Sequence, residues 1–147
     1  TVNLSDIYLE KCYGDHLDID DGYSGTVTNL TINQTTGESA IEISGDTAAT
    51  FENVTITQNA SAKEGGIYFK YAGTGGHFNN VTITDNLDDG YGAIHSMSGD
   101  RTSDTVDINN TSFSHVTLDG TSTDERITGT SSATLTTKFD TGSGNIR

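Results

Sequence analysis

The sequence predicts an all-β protein, a parallel β-helix (β-solenoid) of about five coils, and three observations carry that prediction. The stretch "FENVTITQN" at residues 51–59 is written again, almost unchanged, as "FNNVTITDN" at residues 78–86. Five segments share the pattern apolar, any residue, Asn or Asp, apolar, Ser/Thr or Tyr, apolar: "LSDIYL", "VTNLTI", "FENVTI", "FNNVTI" and "INNTSF", starting at Leu4, Val27, Phe51, Phe78 and Ile108. Their spacing grows from 23 to 24, 27 and 30 residues, and no stretch sustains a helical period. Units of this size hold two or three inward apolar residues each, so they bury a core only by stacking.

The first strand of each unit follows from its alternation. In "FENVTIT", Phe51, Val54 and Ile56 face inward, while Glu52, Thr55 and Thr57 face outward. The alternation breaks at Asn53, which is read as a one-residue corner in the left-handed conformation that Asn tolerates better than other non-glycine residues. The corners Asp6, Asn29, Asn53, Asn80 and Asn110 are expected to stack as a ladder, about 4.8 Å per coil. A second short strand follows in the first four units: "HLDI", "AIEI", "GIYF" and "AIHSM". Gly65–Gly66 and Gly75–Gly76 mark turns of the third coil. The coils are recognisable over residues 1–118 of a single 1–147 domain. Over 119–147 the register fades, although "ATLTTKFD" at residues 133–140 still alternates and reads as a final coil or an end-covering strand. No amphipathic capping helix is visible in the sequence, and a short solenoid either caps its ends or polymerises.

Composition narrows the function. Only 31% of the 147 residues are hydrophobic, enough for a narrow core. Twenty-one acids against seven bases give a net charge of −14. This excludes nucleic acid and acidic membrane surfaces as partners, since both need clustered Lys and Arg. It also disfavours a polyanionic substrate unless a metal intervenes. No run of eighteen apolar residues exists, and the opening "TVNLSDIYLE" has no basic start followed by an apolar run, so any signal peptide is expected to have been removed and the chain to be soluble. The 17 Gly, the absence of Pro and Trp and the dense Thr, Ser, Asn and Asp point to an extracellular or cell-surface repeat protein.

These repeats resemble secreted right-handed parallel β-helix proteins, which include pectate-lyase-like enzymes and adhesin-like repeats of bacterial and archaeal surfaces. The likeness is nearest to the adhesin-like repeats, which join a hydrophobic-x-x-Asn motif to a "GGAI"-like strand. Here those pieces are "ITQN" ending at Asn59 before "GGIY", and "ITDN" ending at Asn86 before "YGAI". The resemblance implies a right-handed β-helix and, for the enzymes, a substrate lying across the second strand. Two enzyme features are missing: "GGH" ending at His77 departs from the Gly-His-Gly of polygalacturonase-like enzymes, and Arg101, Arg126 and Arg147 lie outside the coil strands, leaving a lyase's Arg base unplaced.

Four groups of residues are candidates for chemistry. Stacking places Asp18, Glu42, Tyr68 and His95 side by side in an outward row, with His16, Asp20 and Lys70 on the same face. Such a row offers carboxylates for acid–base cleavage of a sugar bond and a histidine titrating near neutrality. Asp15, Glu38, Glu64 and Asp89 precede the second strand by two to five residues and form a candidate calcium column, since a hard cation relieves the repulsion of stacked acids. The threonines Thr55, Thr57, Thr82 and Thr84, flanked by Thr31 and Asn33 and by Ser112 and Ser114, form an outward hydroxyl array like that of ice-binding solenoids. Eight of the eleven asparagines begin Asn-x-Ser/Thr sequons. Excluding the expected ladder leaves Asn3, Asn33, Asn59 and Asn109 as glycosylation candidates. The single Cys12 allows no internal disulfide and is a candidate for an intermolecular one.

The reading these features favour is a non-catalytic extracellular structural protein, a self-assembling subunit of a surface filament, sheath or adhesive layer. Its partners are copies of itself and glycans; no cofactor is required, and calcium is an accessory candidate. A polysaccharide-binding or polysaccharide-cleaving β-helix protein is the alternative, and a fragment of a larger adhesin a further one.

Overall fold

A computed structural model describes residues 1–45, 47–59, 64–70, 74–86, 91–96, 111–120 and 127–129. Among them are ten strands: β1 (Leu4–Glu10), β2 (Leu17–Ile19), β3 (Thr26–Gln34), β4 (Ile41–Ile43), β5 (Ala48–Gln58), β6 (Ile67–Phe69), β7 (Gly75–Asp85), β8 (Ile94–Ser96), β9 (Ser112–Gly120) and β10 (Ile127–Gly129). The long strands form one parallel sheet in the order β1-β3-β5-β7-β9, and the short strands a second in the order β10-β8-β6-β4-β2. The chain alternates between the sheets, so each level of the solenoid takes one long and one short strand. The second, third and fourth levels have a neighbour on both sides. The five coils expected from the sequence thus comprise about three fully stacked turns and two end levels. Among the described residues no helix is long and apolar enough to cross a membrane.

Parallel register turns the repeat into columns. Leu4, Val27, Phe51, Phe78 and Phe113 occupy one; Ile7, Leu30, Val54, Val81 and Val116 a second; Leu9, Ile32, Ile56, Ile83 and Leu118 a third. From the second level onward these side chains are buried. The rings of Phe51 and Phe78 stack at 4.8 Å, those of Phe78 and Phe113 at 5.1 Å, and Phe69 of the short sheet meets Phe78 edge-on at 5.9 Å. Two sheets too small to hold a core separately therefore close over one continuous apolar rod.

The corner is the expected one-residue turn. Asp6, Asn29, Asn53 and Asn80 have φ of 56°, 56°, 57° and 56°. Their side chains form a ladder: the Asn29 amide donates to Asp6 Oδ1 at 2.8 Å, Asn53 to Asn29 at 3.1 Å, and Asn80 to Asn53 at 2.7 Å. Replacing Asn53 with Ala removes one bond given and one received and forces a Cβ residue with no compensating polar group into the left-handed region. Urea denaturation is expected to show a loss of about 2 kcal/mol. Asn53→Gly, which relieves the strain but not the lost bonds, is expected to lose less.

The fifth repeat differs from the sequence reading. β9 pairs with β7 through Phe78↔Phe113 and Val81↔Val116, so the fifth copy is "FSHVTL" at residues 113–118, not "INNTSF". The core decides this register. "FSHVTL" brings Phe113, Val116 and Leu118 to the three inward columns, whereas "INNTSF" would put Thr111 where an apolar residue is required. The fifth corner is therefore His115, with φ 53°; Asn110 lies outside the described residues. The same shift moves Ser112 and Ser114 beside His77 and Asn79, away from the two threonine rows, of which the one through Thr82 continues to Thr117 and the one through Thr84 pairs with Asp119. The stretch at residues 133–140 also lies outside the described residues.

A second ladder runs parallel to the first. Asn33 donates to Glu10 Oε1 at 2.7 Å, Asn59 to Asn33 at 3.2 Å, and Asn86 to Asn59 at 3.0 Å. These asparagines follow their corners by four, six and six residues, and this changing offset hides the column in the sequence.

Candidate functional site

Each short strand is three residues long; in β2, β4, β6 and β8 the outer two residues are directed to the core and the middle residue lies on the other face. The strand that carries Tyr68 follows a tight turn. Gly65 there has φ +87°, and a Cβ on it would lie 2.7 Å from the Gly92 carbonyl oxygen. The turns of adjacent levels pack too closely for a side chain at this point.

Register places Asp18, Glu42, Tyr68 and His95 in one row, each the Cα partner of the next. The row is not the exposed strip that alternation alone suggests. Asp18 is exposed, but Glu42, Tyr68 and His95 retain only 5%, 2% and 6% of their surface. Their neighbours cover them. The Tyr68 and His95 rings stack at 5.4 Å, Tyr91 meets His95 edge-on at 5.2 Å, and Lys70 reaches back across one level to Glu42. The Lys70 ammonium donates to both carboxylate oxygens, at 3.0 and 2.9 Å.

The electrostatics follow from this enclosure. Burial pushes the Glu42 carboxyl up to about 7, with Asp15 and Asp18 adding to the rise and the Lys70 hydrogen bond and charge opposing it. Asp18 is also raised, first by burial and then by Asp15 and Asp20. Burial lowers His95 below the ordinary histidine value, which favours the neutral ring. A carboxyl near 7 has the proton affinity suited to acid–base work at neutral pH. Of the other residues expected on this face, His16 is buried with Nδ1 3.4 Å from the Ser39 carbonyl oxygen, and exposed Asp20 accepts the Asp21 backbone N–H at 2.6 Å.

The calcium column is brought together only in part. One carboxylate oxygen each from Asp15, Glu42 and Glu64 lies within 4.8 Å of the others. Glu42 joins Asp15 and Glu64 here, although the sequence placed it in a different row. Glu38 is not in the group. Its backbone N–H donates to the Gly14 carbonyl, so it sits one position away, while Ser39 occupies the place above Asp15 and donates to it through both N–H and hydroxyl. Asp89 lies outside the described residues. Calcium takes six to eight oxygens. Both Glu42 oxygens are engaged by Lys70 and one Asp15 oxygen by Ser39, so a cation here would have to displace the ammonium. Lys70 supplies a positive charge to Glu42.

Of the sequon asparagines, Asn33 and Asn59 are members of the second ladder, and the hydrogen bonds that discount the corner asparagines for glycan attachment apply to them equally. Asn3 is exposed and accepts the Thr26 N–H at 3.0 Å through its oxygen; Asn109 lies outside the described residues. Cys12 is half-buried with a free thiol.

Neither a curated protein nor a solved structure matches the chain at a meaningful level. A family model does: the one described as the pectate-lyase like beta helix domain matches residues 1–147. With parallel strands stacked in two sheets around one apolar rod, the chain belongs to the pectate-lyase-like β-helix family.

Proposed function

We propose that this chain is a non-catalytic structural protein of the cell surface or extracellular space, a β-helix subunit that assembles with copies of itself into a filament, sheath or adhesive layer. The observation that carries the reading is the open first level. Leu4, Ile7, Leu9 and Leu17 are only partly buried, and among the described residues β1 and β2 each pair on one side only. Their counterparts one level up, Val27, Leu30, Ile32 and Ile41, are 0 to 1% exposed. An apolar end with an unpaired backbone row is a template for another chain. The enclosed row supports the non-catalytic part of the reading, because a polymer lying on the short sheet would meet Asp18 rather than the carboxylate of Glu42. The acidic exterior keeps the subunits soluble, and glycan on Asn3 or a disulfide through Cys12 would add contacts.

Negative-stain electron microscopy tests it. Ordered rods or tubes longer than one chain are expected, and a comparison with and without chelator reads whether calcium contributes. Isolated short particles at every concentration would contradict assembly. Glu42 near 7 supports a second reading, a polysaccharide-active protein. On that reading Glu42→Gln abolishes turnover of a glycan while the circular dichroism spectrum stays native; unchanged turnover removes Glu42 from any mechanism.

A further inference from the structure

Parallel register sets two rows of outward side chains on the long sheet, beside the corner ladder. Thr31, Thr55, Thr82 and Thr117 form the first row, and Asn33, Thr57 and Thr84 the second. Thr31, Thr55 and Thr82 are exposed, and the rest are half-buried. None of these positions is charged, in a chain with 21 acids and a net charge of −14. Charge returns where the second row ends, at Glu10 on the first level and Asp119 on the fifth.

The rows are held from both sides. The corner ladder of Asn29, Asn53 and Asn80 runs two residues before the first row, and the second ladder ties Asn33 to Asn59 and Asn86 along the far side. Threonine is β-branched, so a fixed backbone leaves its χ1 little freedom. A face ordered before it binds loses little entropy on binding. The spacing then identifies the partner. Levels of a sheet repeat at about 4.8 Å, and residues two apart on one strand at about 6.6 Å. In tetrahedral ice with O–H···O bonds of about 2.75 Å, oxygens that share a neighbour are about 4.5 Å apart, and the hexagonal axis repeats at about 7.3 Å. The misfit is about 0.9 Å over the three steps from Thr31 to Thr117, and about 0.7 Å between the rows.

We propose that this face binds ice, with the side-chain oxygens of the two rows taking the places of lattice waters. The face lies along the side of the solenoid, so the inference is independent of assembly along its axis. Slow growth of ice from a dilute solution of the whole chain tests it. The parent chain is expected to enter the ice and to slow ice recrystallisation, whereas an unrelated soluble protein of similar size stays in the liquid. Thr55→Lys and Thr82→Lys, which put a charge in the middle of the first row, are each expected to raise the concentration needed to slow recrystallisation at least tenfold. Ser24→Lys, the same kind of change at an exposed residue in the turn before β3, is expected to keep the parent value. Circular dichroism checks that each variant keeps the parent fold. A parent chain left in the liquid overturns the inference. So does activity that both threonine variants leave unchanged, or that Ser24→Lys lowers as much as they do.

Discussion

Lys70→Ala is expected to lower the unfolding free energy by about 3 kcal/mol at pH 8, and by much less at pH 5.5, in urea denaturation. Removing one member of a buried ion pair leaves the other charge uncompensated, at a cost of about 3–5 kcal/mol. Lys70 keeps about 30% of its side-chain surface and Glu42 only 6%, which places the loss at the lower end of that range. At pH 5.5 Glu42 takes up a proton, and the cost falls to that of the lost lysine stem. The parent protein carries the same linkage. Because the folded Glu42 titrates at about 7 against an ordinary 4.5, the folded state binds the proton more tightly, and stability rises as pH falls through 7. Between pH 8 and 6.5 the gain is about 0.8 kcal/mol, and Glu42→Gln is expected to abolish it. His95 acts in the opposite sense. Its neutral ring contributes stability that is present above the ordinary value of 6.5 and lost as pH falls through its lowered folded value, so the window above 6.5 reports Glu42. An unchanged slope in Glu42→Gln would show that this carboxyl is not the titrating group.

Phe78→Ala is expected to cost about 3–5 kcal/mol, the range for removing a buried aromatic ring. Phe78 touches the rings of Phe51, Phe113 and Phe69, so its loss opens the column at the fourth level from three sides. Phe78→Leu, which refills most of the volume, is expected to lose about 1–2 kcal/mol. A loss below about 1 kcal/mol for the alanine variant, measured by urea denaturation, would contradict the view that stacked phenylalanines hold the upper levels together.

The fold was legible because a parallel stack repeats its requirements at every level. Phe51, Val54 and Ile56 predict the columns that Phe78, Val81 and Ile83 continue, and the break at Asn53 predicts the left-handed corner. The fifth level was misplaced because Asn or Asp was required at the corner, whereas a histidine also adopts the left-handed conformation. The apolar triad of "FSHVTL" was the better guide. The row from Asp18 to His95 could be ordered from the strand pattern, but its enclosure could not, because it depends on Lys70, Tyr91 and ring stacking between levels. The grouping of Asp15, Glu42 and Glu64 was hidden for a similar reason. Turn lengths differ between coils, so equal distance from a strand does not mean equal position in space. The second ladder shows the same effect: Asn33, Asn59 and Asn86 align in space although their offsets from the corner differ.

The proposed assembly adds copies along the axis of the β-helix. Small-angle X-ray scattering over a concentration series tests it most directly, because it separates the cross-section of a rod from its length. Axial stacking predicts a cross-sectional radius that stays constant while the length increases with concentration. A single length at every concentration, or a cross-section that widens as mass is added, would contradict it.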